Sequence, residues 1–158
     1  MKTKYFQIYI TFLFAILLSI IALPTWLETL RPQWVALVLI YWCIALPEKV
    51  GIFHAFILGL LLDVTLGGLL GVHALTLSII AFLATNLHAR LRVFPVGQQM
   101  IIILFLLTLE ISINRIIMGF IGQNQLALSY WFVPLIGALI WPWVFIVLRK
   151  VRRKYKVI

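Results

Sequence analysis

Six apolar runs, separated by short breaks that contain glycine, proline or charged residues, leave this chain few ways to fold. A helix that crosses a bilayer needs roughly 20 mostly apolar residues, because its backbone polar groups must bond within it. Six such helices would occupy about 120 positions and leave only short connections. We therefore predict an all-α integral membrane protein, a bundle of six transmembrane helices. The predicted helices cover roughly 5–23, 32–46, 50–66, 73–89, 98–118 and 129–148, and a basic tail covers 149–158.

The composition agrees with a membrane solvent and a single domain. Of the 158 residues, 65% are hydrophobic and 11% are charged, whereas a soluble domain is about half apolar and a quarter charged. No stretch is polar and long enough for a soluble domain, so we predict one transmembrane domain over 1–158. The first run exceeds the apolar part of a signal peptide, roughly 7 to 15 residues, and we expect it to be retained. Cys43 lies in an apolar run and is expected to be a small buried hydrophobe.

Three prolines bear on the limits of the helices. The second run is short, so we extend its helix through Pro32, which suits a first helical turn because it lacks only an N–H that has no partner there. Pro134 and Pro142 fall inside the sixth run, where neighbouring helices can satisfy a freed carbonyl. We therefore predict that the sixth helix is bent.

The distribution of Lys and Arg predicts the orientation of the chain. With six helices and both termini in the cytoplasm, Arg31 and Arg115 lie outside. The remaining eleven basic residues then lie inside, as the positive-inside rule requires: Lys2, Lys4, Lys49, Arg90, Arg92, Arg149, Lys150, Arg152, Arg153, Lys154 and Lys156. An odd number of helices would place the termini on opposite sides and would fit the loop charges less well.

The net charge of +9 would suggest a nucleic-acid partner in a soluble protein. Here the excess lies mainly in the tail, directly after a predicted span, where anionic headgroups attract each basic residue by about 1 kcal/mol. We therefore predict contact with membrane lipids and no nucleic-acid binding; a docking surface for a cytoplasmic partner is the alternative. The basic residues of the tail are Arg149, Lys150, Arg152, Arg153, Lys154 and Lys156.

Two acids, Asp63 and Glu110, lie inside predicted spans, where a charge costs at least about 2.5 to 3.5 kcal/mol. Asp63 continues a stripe of small residues on the third helix, and such a stripe allows two helix backbones to approach closely. We expect Asp63 to point into the bundle or its edge and not at lipid. The predicted packing faces comprise Gly51, Ala55 and Gly59 on the third helix and Ala74, Ser78 and Ala81 on the fourth. The Ser78 hydroxyl can bond to a neighbouring helix or to its own backbone.

The predicted topology brings the two outer arginines to the level of these acids. We therefore predict an outer polar cluster in which Arg31 or Arg115 matches Asp63 and Glu110, while Asn114 adds a hydrogen bond. Which arginine pairs with which acid is left open. The cluster either fixes helix packing or binds a partner or a substrate.

No arrangement typical of catalysis or metal binding occurs in the sequence. His54, His73 and His88 are scattered over two helices without a carboxylate at ligand spacing on the same face, so we predict no metal site. The motifs G-x-S-x-G and H-E-x-x-H and a phosphate-binding glycine loop are absent. Glu110 and Arg115 have no evident nucleophile beside them, and we predict neither enzymatic activity nor a cofactor.

Several aromatic residues lie near predicted helix ends or kinks. Amphipathic rings at such positions settle at the headgroup level of a bilayer. We therefore expect an interfacial belt made of Trp26, Trp34, Tyr130, Trp131, Trp141 and Trp143.

Several short motifs, taken together, resemble a known family. They are Arg31-Pro32-Gln33-Trp34, Tyr41-Trp42, Ala45-Leu46-Pro47, Gly59 with Asp63, Gly67-Gly68, Gly71, His73-Ala74-Leu75 and Trp141-Pro142-Trp143 before the basic tail. In this order and spacing, over nearly the whole chain, they resemble the rod shape-determining MreD family. The chain departs from the family pattern in carrying Glu110 where an aspartate is expected.

This resemblance implies a non-enzymatic, multi-pass scaffold protein of the bacterial inner membrane that takes part in cell elongation and peptidoglycan synthesis. It implies direct binding of MreC and membership of a complex with MreB, RodA and penicillin-binding protein 2. It also implies a fold like that of the substrate-binding subunits of energy-coupling-factor transporters. The alternative is a small-molecule transporter subunit of that type, with the region of Asp63 and Glu110 as its ligand pocket.

Overall fold

The computed structural model of the chain describes residues 3–21, 24, 31–122 and 128–155. Within these ranges the chain forms six α-helices and no strands, so the prediction of an all-α fold is confirmed there. The helices are α1 (Thr3–Ile20), α2 (Trp34–Ala45), α3 (Ile52–Leu66), α4 (Val72–Val93), α5 (Val96–Phe120) and α6 (Val133–Lys154). A short 3-10 helix, Leu128–Phe132, leads into α6.

The described helices differ in length. Three segments are long and apolar enough to cross a membrane: α4, α5 and Tyr130–Lys154. The apolar parts of the other helices are shorter and cover Phe6–Ile20, Trp34–Ala45 and Ile52–Leu66. With 12 residues, α2 rises only about 18 Å, well short of a hydrocarbon core of about 30 Å.

The short helix α2 lies at the centre of the bundle. It contacts α1, α4 and α6, and every residue from Val35 to Ala45 is buried. Its apolar character on all sides suits a helix that is surrounded by other helices. Trp42 is fully buried and donates a hydrogen bond from Nε1 to the Thr11 hydroxyl of α1 at 2.9 Å. Cys43 is also fully buried, as a free thiol.

The limits of two helices differ from the predicted ones because of proline. Gln33 is the N-cap of α2, so Pro32 precedes the helix and does not lie in its first turn. Only Phe94 and Pro95 separate α4 from α5. Phe94 has φ −71° and ψ 140°, because a steric clash with the following proline disfavours the helical region for this residue.

Helix α6 begins and ends later than predicted. Pro134 lies in its first turn, where an N–H group would have no partner within the helix, so its absence breaks no hydrogen bond. Pro142 lies inside the helix. At the other end the helix continues through Lys154, so much of the predicted basic tail is helical. Arg152, Arg153 and Lys154 occupy the last turn, where positive charge interacts favourably with the helix dipole.

Helices α3 and α4 approach each other closely at Gly59. A Cβ atom built on Gly59 would lie 2.3 Å from Ala74 Cα and 2.4 Å from Ala74 N. No side chain fits between the two backbones at this point, so Gly59 permits the contact. Ala55, one turn earlier on α3, is fully buried. This contact fixes the ends of α3 and α4 that carry the polar groups described next.

Candidate functional site

Asp63 binds the start of the following helix. The residue is 1% exposed. Its Oδ2 accepts a hydrogen bond from the Gly71 N–H at 2.8 Å, and its Oδ1 accepts one from the His73 N–H at 3.1 Å. The first N–H groups of a helix have no partner within the helix, and a carboxylate there is also favoured by the helix dipole. Asp63 of α3 therefore acts as the N-terminal cap of α4.

The same carboxylate also binds the His73 ring. Asp63 Oδ1 lies 2.7 Å from His73 Nδ1, and His73 Nε2 lies 3.3 Å from the Asn114 side-chain nitrogen. The geometry suits an imidazole that donates from Nδ1 to Asp63 and accepts at Nε2 from Asn114. These three side chains connect α3, α4 and α5 in one chain of hydrogen bonds.

A second set of contacts surrounds Glu110 of α5, which is 5% exposed. Its Oε2 accepts a hydrogen bond from Gln33 Nε2 at the start of α2. Its Oε1 lies 3.5 Å from the Thr76 hydroxyl of α4, which donates to it. Glu110 thus connects α5 to α2 and α4, one helical turn from the contact between Asn114 and His73.

Both arginines contact groups other than the two acids. Arg31 donates to the backbone carbonyls of Ser19 and Ile21, the latter at 2.7 Å, and so caps the end of α1. The guanidinium carbon of Arg115 lies 4.1 Å from the centre of the Tyr130 ring, a cation–π contact. Asp63 is instead paired with His73.

Few of these partners can be predicted from the sequence. His73 is one of three scattered histidines, and neither Gln33 nor Thr76 belongs to the predicted polar cluster. A signal for His73 was present: Gly67 to Gly71 form a tight connection between α3 and α4, so the end of one helix lies beside the start of the next. Gln33 belongs to the family motif Arg31-Pro32-Gln33-Trp34, but nothing in the sequence pairs it with Glu110, which lies 77 positions away.

These polar groups line a cavity of about 390 Å³. It opens where α1 ends, α2 begins, α3 ends and α4 begins, so all its walls lie at one end of the bundle. Two buried polar atoms of its lining residues, Arg31 Nε and Gln33 Oε1, have no hydrogen-bond partner among the residues that the structure describes. The polar residues that line it are Ser19, Arg31, Gln33, His73, Glu110, Asn114, Arg115 and Tyr130.

The predicted packing faces are only partly helix contacts. Ala74 and Ala81 are fully buried, and the Ser78 hydroxyl donates to the carbonyl of Ala74 at 2.6 Å, which places its bond on its own helix. Gly51 does not belong to the face. It is the N-cap of α3 in an extended conformation, and a Cβ atom there would meet nothing within 4 Å.

One predicted interfacial aromatic residue is a core residue instead. Trp141 is fully buried, and its Nε1 donates to Gln99 Oε1 at 3.1 Å. Gln99 Nε2 in turn donates to the carbonyls of Leu91 and Phe94, and so caps the C-terminal end of α4. Trp131 and Trp143 are exposed, and Trp26 lies outside the described residues.

The predicted basic tail lies at the end of the bundle opposite to the polar cluster. The basic residues Arg149 to Lys154 lie on the last turns of α6, while Lys156 lies outside the described residues.

Among the residues that the structure describes, no group of three or more His, Cys, Asp or Glu side chains is placed to hold a metal ion.

Comparison with known proteins identifies a relationship over nearly the whole chain. The family model for rod shape-determining protein MreD matches residues 1–151. The rod shape-determining protein MreD of Haemophilus influenzae is 36% identical over 160 residues, which cover 97% of this chain and 94% of the relative. No solved structure matches the chain. Since the family match extends across the polar cluster and into the last described helix, and the relative covers nearly the whole chain, the chain belongs to the MreD family of rod shape-determining proteins.

Proposed function

We propose that the protein is a non-enzymatic membrane scaffold of the bacterial cell-elongation complex, where it binds MreC and supports lateral peptidoglycan synthesis. The observation that carries the proposal is the family match over residues 1–151. Membership of a rod shape-determining family gives the chain a role in cell shape. MreB, RodA and penicillin-binding protein 2 are the further members of the proposed complex.

The structure supports a role that depends on a rigid bundle. Asp63, His73, Asn114 and Glu110 connect four helices at one end of the bundle. Large apolar side chains cover the outer faces of α1 and α3, among them Phe14 and Phe53, which are 62% and 73% exposed. We propose that these faces contact lipid and the transmembrane helix of MreC, since a rigid bundle presents a constant surface to a second helix.

We further propose that the protein is a single domain of the inner membrane, with six spans and both termini in the cytoplasm. The arrangement of charge supports this orientation. The two arginines assigned to the outside, Arg31 and Arg115, line one cavity. Arg92 and the arginines of α6, which are assigned to the inside, line another cavity at the opposite end.

Copurification tests the direct contact with MreC. The tagged protein is expressed with MreC, extracted in a mild detergent and captured by its tag. We expect MreC to elute with it in a constant ratio and an untagged control to capture none. Elution of the intact protein without MreC would contradict the proposal.

A second candidate function is that of a small-molecule transporter subunit, related to the substrate-binding type of energy-coupling-factor systems. The observation that favours it is the cavity of about 390 Å³, at which Arg31 Nε and Gln33 Oε1 find no hydrogen-bond partner within the described part of the chain. Depletion of the protein separates the two functions. Rounded cells support the scaffold, whereas rod-shaped cells with a new nutrient requirement support the transporter.

A further inference from the structure

A second cavity, of about 670 Å³, lies at the end of the bundle opposite to the polar cluster. It is bounded by the end of α2, the end of α4, the start of α5 and the second half of α6. Four arginines line it: Arg92, Arg149, Arg152 and Arg153. None of the described residues that line it is acidic. The cavity therefore concentrates positive charge without an internal counter-ion.

The arginines converge because of helix geometry. Residues 149, 152 and 153 are spaced i, i+3 and i+4, so they share one face of α6. Lys150 and Lys154 lie on a different face and do not line the cavity. Arg92 belongs to α4. Its side chain is fixed at the end of α2, because its Nε and Nη2 donate to the carbonyls of Ile44 and Ala45, each at 2.8 Å. Its remaining donors stay available at the cavity.

Tyr41 provides a neutral donor in the same place. Its side chain is 3% exposed and lines the cavity, and its hydroxyl makes no hydrogen bond to another described residue. The ring is fixed by an edge contact with Phe145, whose centroid lies 5.8 Å away. Arg149, Arg152 and Arg153 are close enough to interact electrostatically with this hydroxyl. A hydroxyl that is open to a cavity lined by guanidinium groups suits an anionic oxygen.

The rest of the wall is apolar and includes Ile44, Leu46 and Phe145. A free phosphate ion would make no use of such a wall, whereas a lipid places its acyl chains beside its phosphate. Basic pockets between helices at a membrane surface have this combination of groups. We propose that this cavity binds the phosphate group of an anionic phospholipid, with the guanidinium groups and the Tyr41 hydroxyl as donors and the apolar wall against the acyl chains. The site is independent of the proposed scaffold function.

The test uses the full-length protein in a neutral detergent, titrated with phosphatidylglycerol and followed by native mass spectrometry. The variant Arg149→Gln/Arg152→Gln removes two charges from the cavity. The matched control, Lys150→Gln/Lys154→Gln, removes two charges from the same turns outside it. We expect the apparent Kd to rise by about tenfold or more in the first variant, and by less than about twofold in the control, because only the first loses contacts to the phosphate.

Two further measurements complete the test. Tyr41→Phe, which keeps the ring packing, should weaken phosphatidylglycerol binding about threefold or more through the lost hydroxyl donor; it serves as the decisive variant if the arginine variant fails to fold. Phosphatidylcholine and inorganic phosphate should bind at least about tenfold more weakly than phosphatidylglycerol. Equal losses in the two double variants would overturn the proposal in favour of general attraction to negative surfaces. Displacement of the lipid by millimolar inorganic phosphate would overturn it in favour of a free-ion site.

Discussion

At the scale of single residues, Asp63 shows how a buried acid is accommodated in an apolar bundle. Its carboxylate accepts two backbone N–H groups at the start of α4 and lies 2.7 Å from the His73 ring nitrogen. These donors replace water, which is what a buried carboxylate requires. The acid is thereby tied to the connection between α3 and α4, and its effect on stability passes through that connection.

Replacing Asp63 by Asn keeps the shape of the side chain and removes its charge. We expect Asp63→Asn to lower the free energy of unfolding by about 1 to 3 kcal/mol. The Asn NH2 group would face an N–H donor where the carboxylate oxygen accepts a hydrogen bond. Thermal unfolding in detergent measures the change. Glu48→Gln, the same change at an exposed acid, should stay within about 0.5 kcal/mol of the parent protein.

A double-mutant cycle tests whether Asp63 and His73 act as a pair. If they do, the effects of Asp63→Asn and His73→Gln should be non-additive by about 0.5 to 3 kcal/mol, because either change alone removes the same bond. Unfolding of the two single variants and the double variant supplies the cycle. Strict additivity would show that the ring contributes nothing through this contact.

At the scale of helices, the contact of α3 with α4 depends on Gly59. A methyl group there would lie 2.3 Å from Ala74 Cα, and a backbone atom cannot move aside as the tip of a side chain can. Gly59→Ala should therefore destabilise the protein by about 1 to 3 kcal/mol, with separation of the two helices. The control is Gly51→Ala, where a Cβ atom meets nothing within 4 Å. Unfolding curves that coincide for the two variants would refute the close contact.

The turn between α3 and α4 has its own requirement. Gly67 adopts φ +65° as the C-cap of α3, a conformation that costs other residues roughly 1 to 2 kcal/mol. We expect Gly67→Ala to lose about 1 kcal/mol of unfolding free energy. Gly68→Ala is the matched control, because Gly68 has no positive φ and open space around its Cα. A loss at Gly68 as large as that at Gly67 would contradict this explanation.

The helices themselves could be predicted from the sequence, whereas the side-chain partners could not. Long apolar runs and prolines act locally, so the breaks near Pro47, Gly67 and Pro95 follow from neighbouring residues alone. The partner of Asp63 depends on backbone N–H groups that no residue letter displays. Its place near an expected kink at Pro142 predicts an interfacial Trp141, yet Trp141 is buried and donates a hydrogen bond to Gln99 of another helix. Such contacts arise only when distant segments pack.

At the scale of the whole molecule, the proposed orientation predicts opposite exposure of the two ends. Cys43 is fully buried and should not react with a membrane-impermeant thiol reagent. In intact spheroplasts we expect the reagent to label Ile121→Cys, just after α5, and to spare Lys154→Cys at the end of α6. Inverted membrane vesicles should reverse the pattern. Labelling of both sites from the same side would show that the span count or the orientation is wrong.

The central position of α2 constrains the order in which the protein is assembled during synthesis. This helix leaves the ribosome early, but it is enclosed by α1, α4 and α6. The last of these neighbours to be synthesised is α6, Val133–Lys154. Until translation has delivered α6, α2 lacks one of the helices that enclose it, so its final packing must wait for α6. A chain that stops before α6 would leave this segment without its full enclosure.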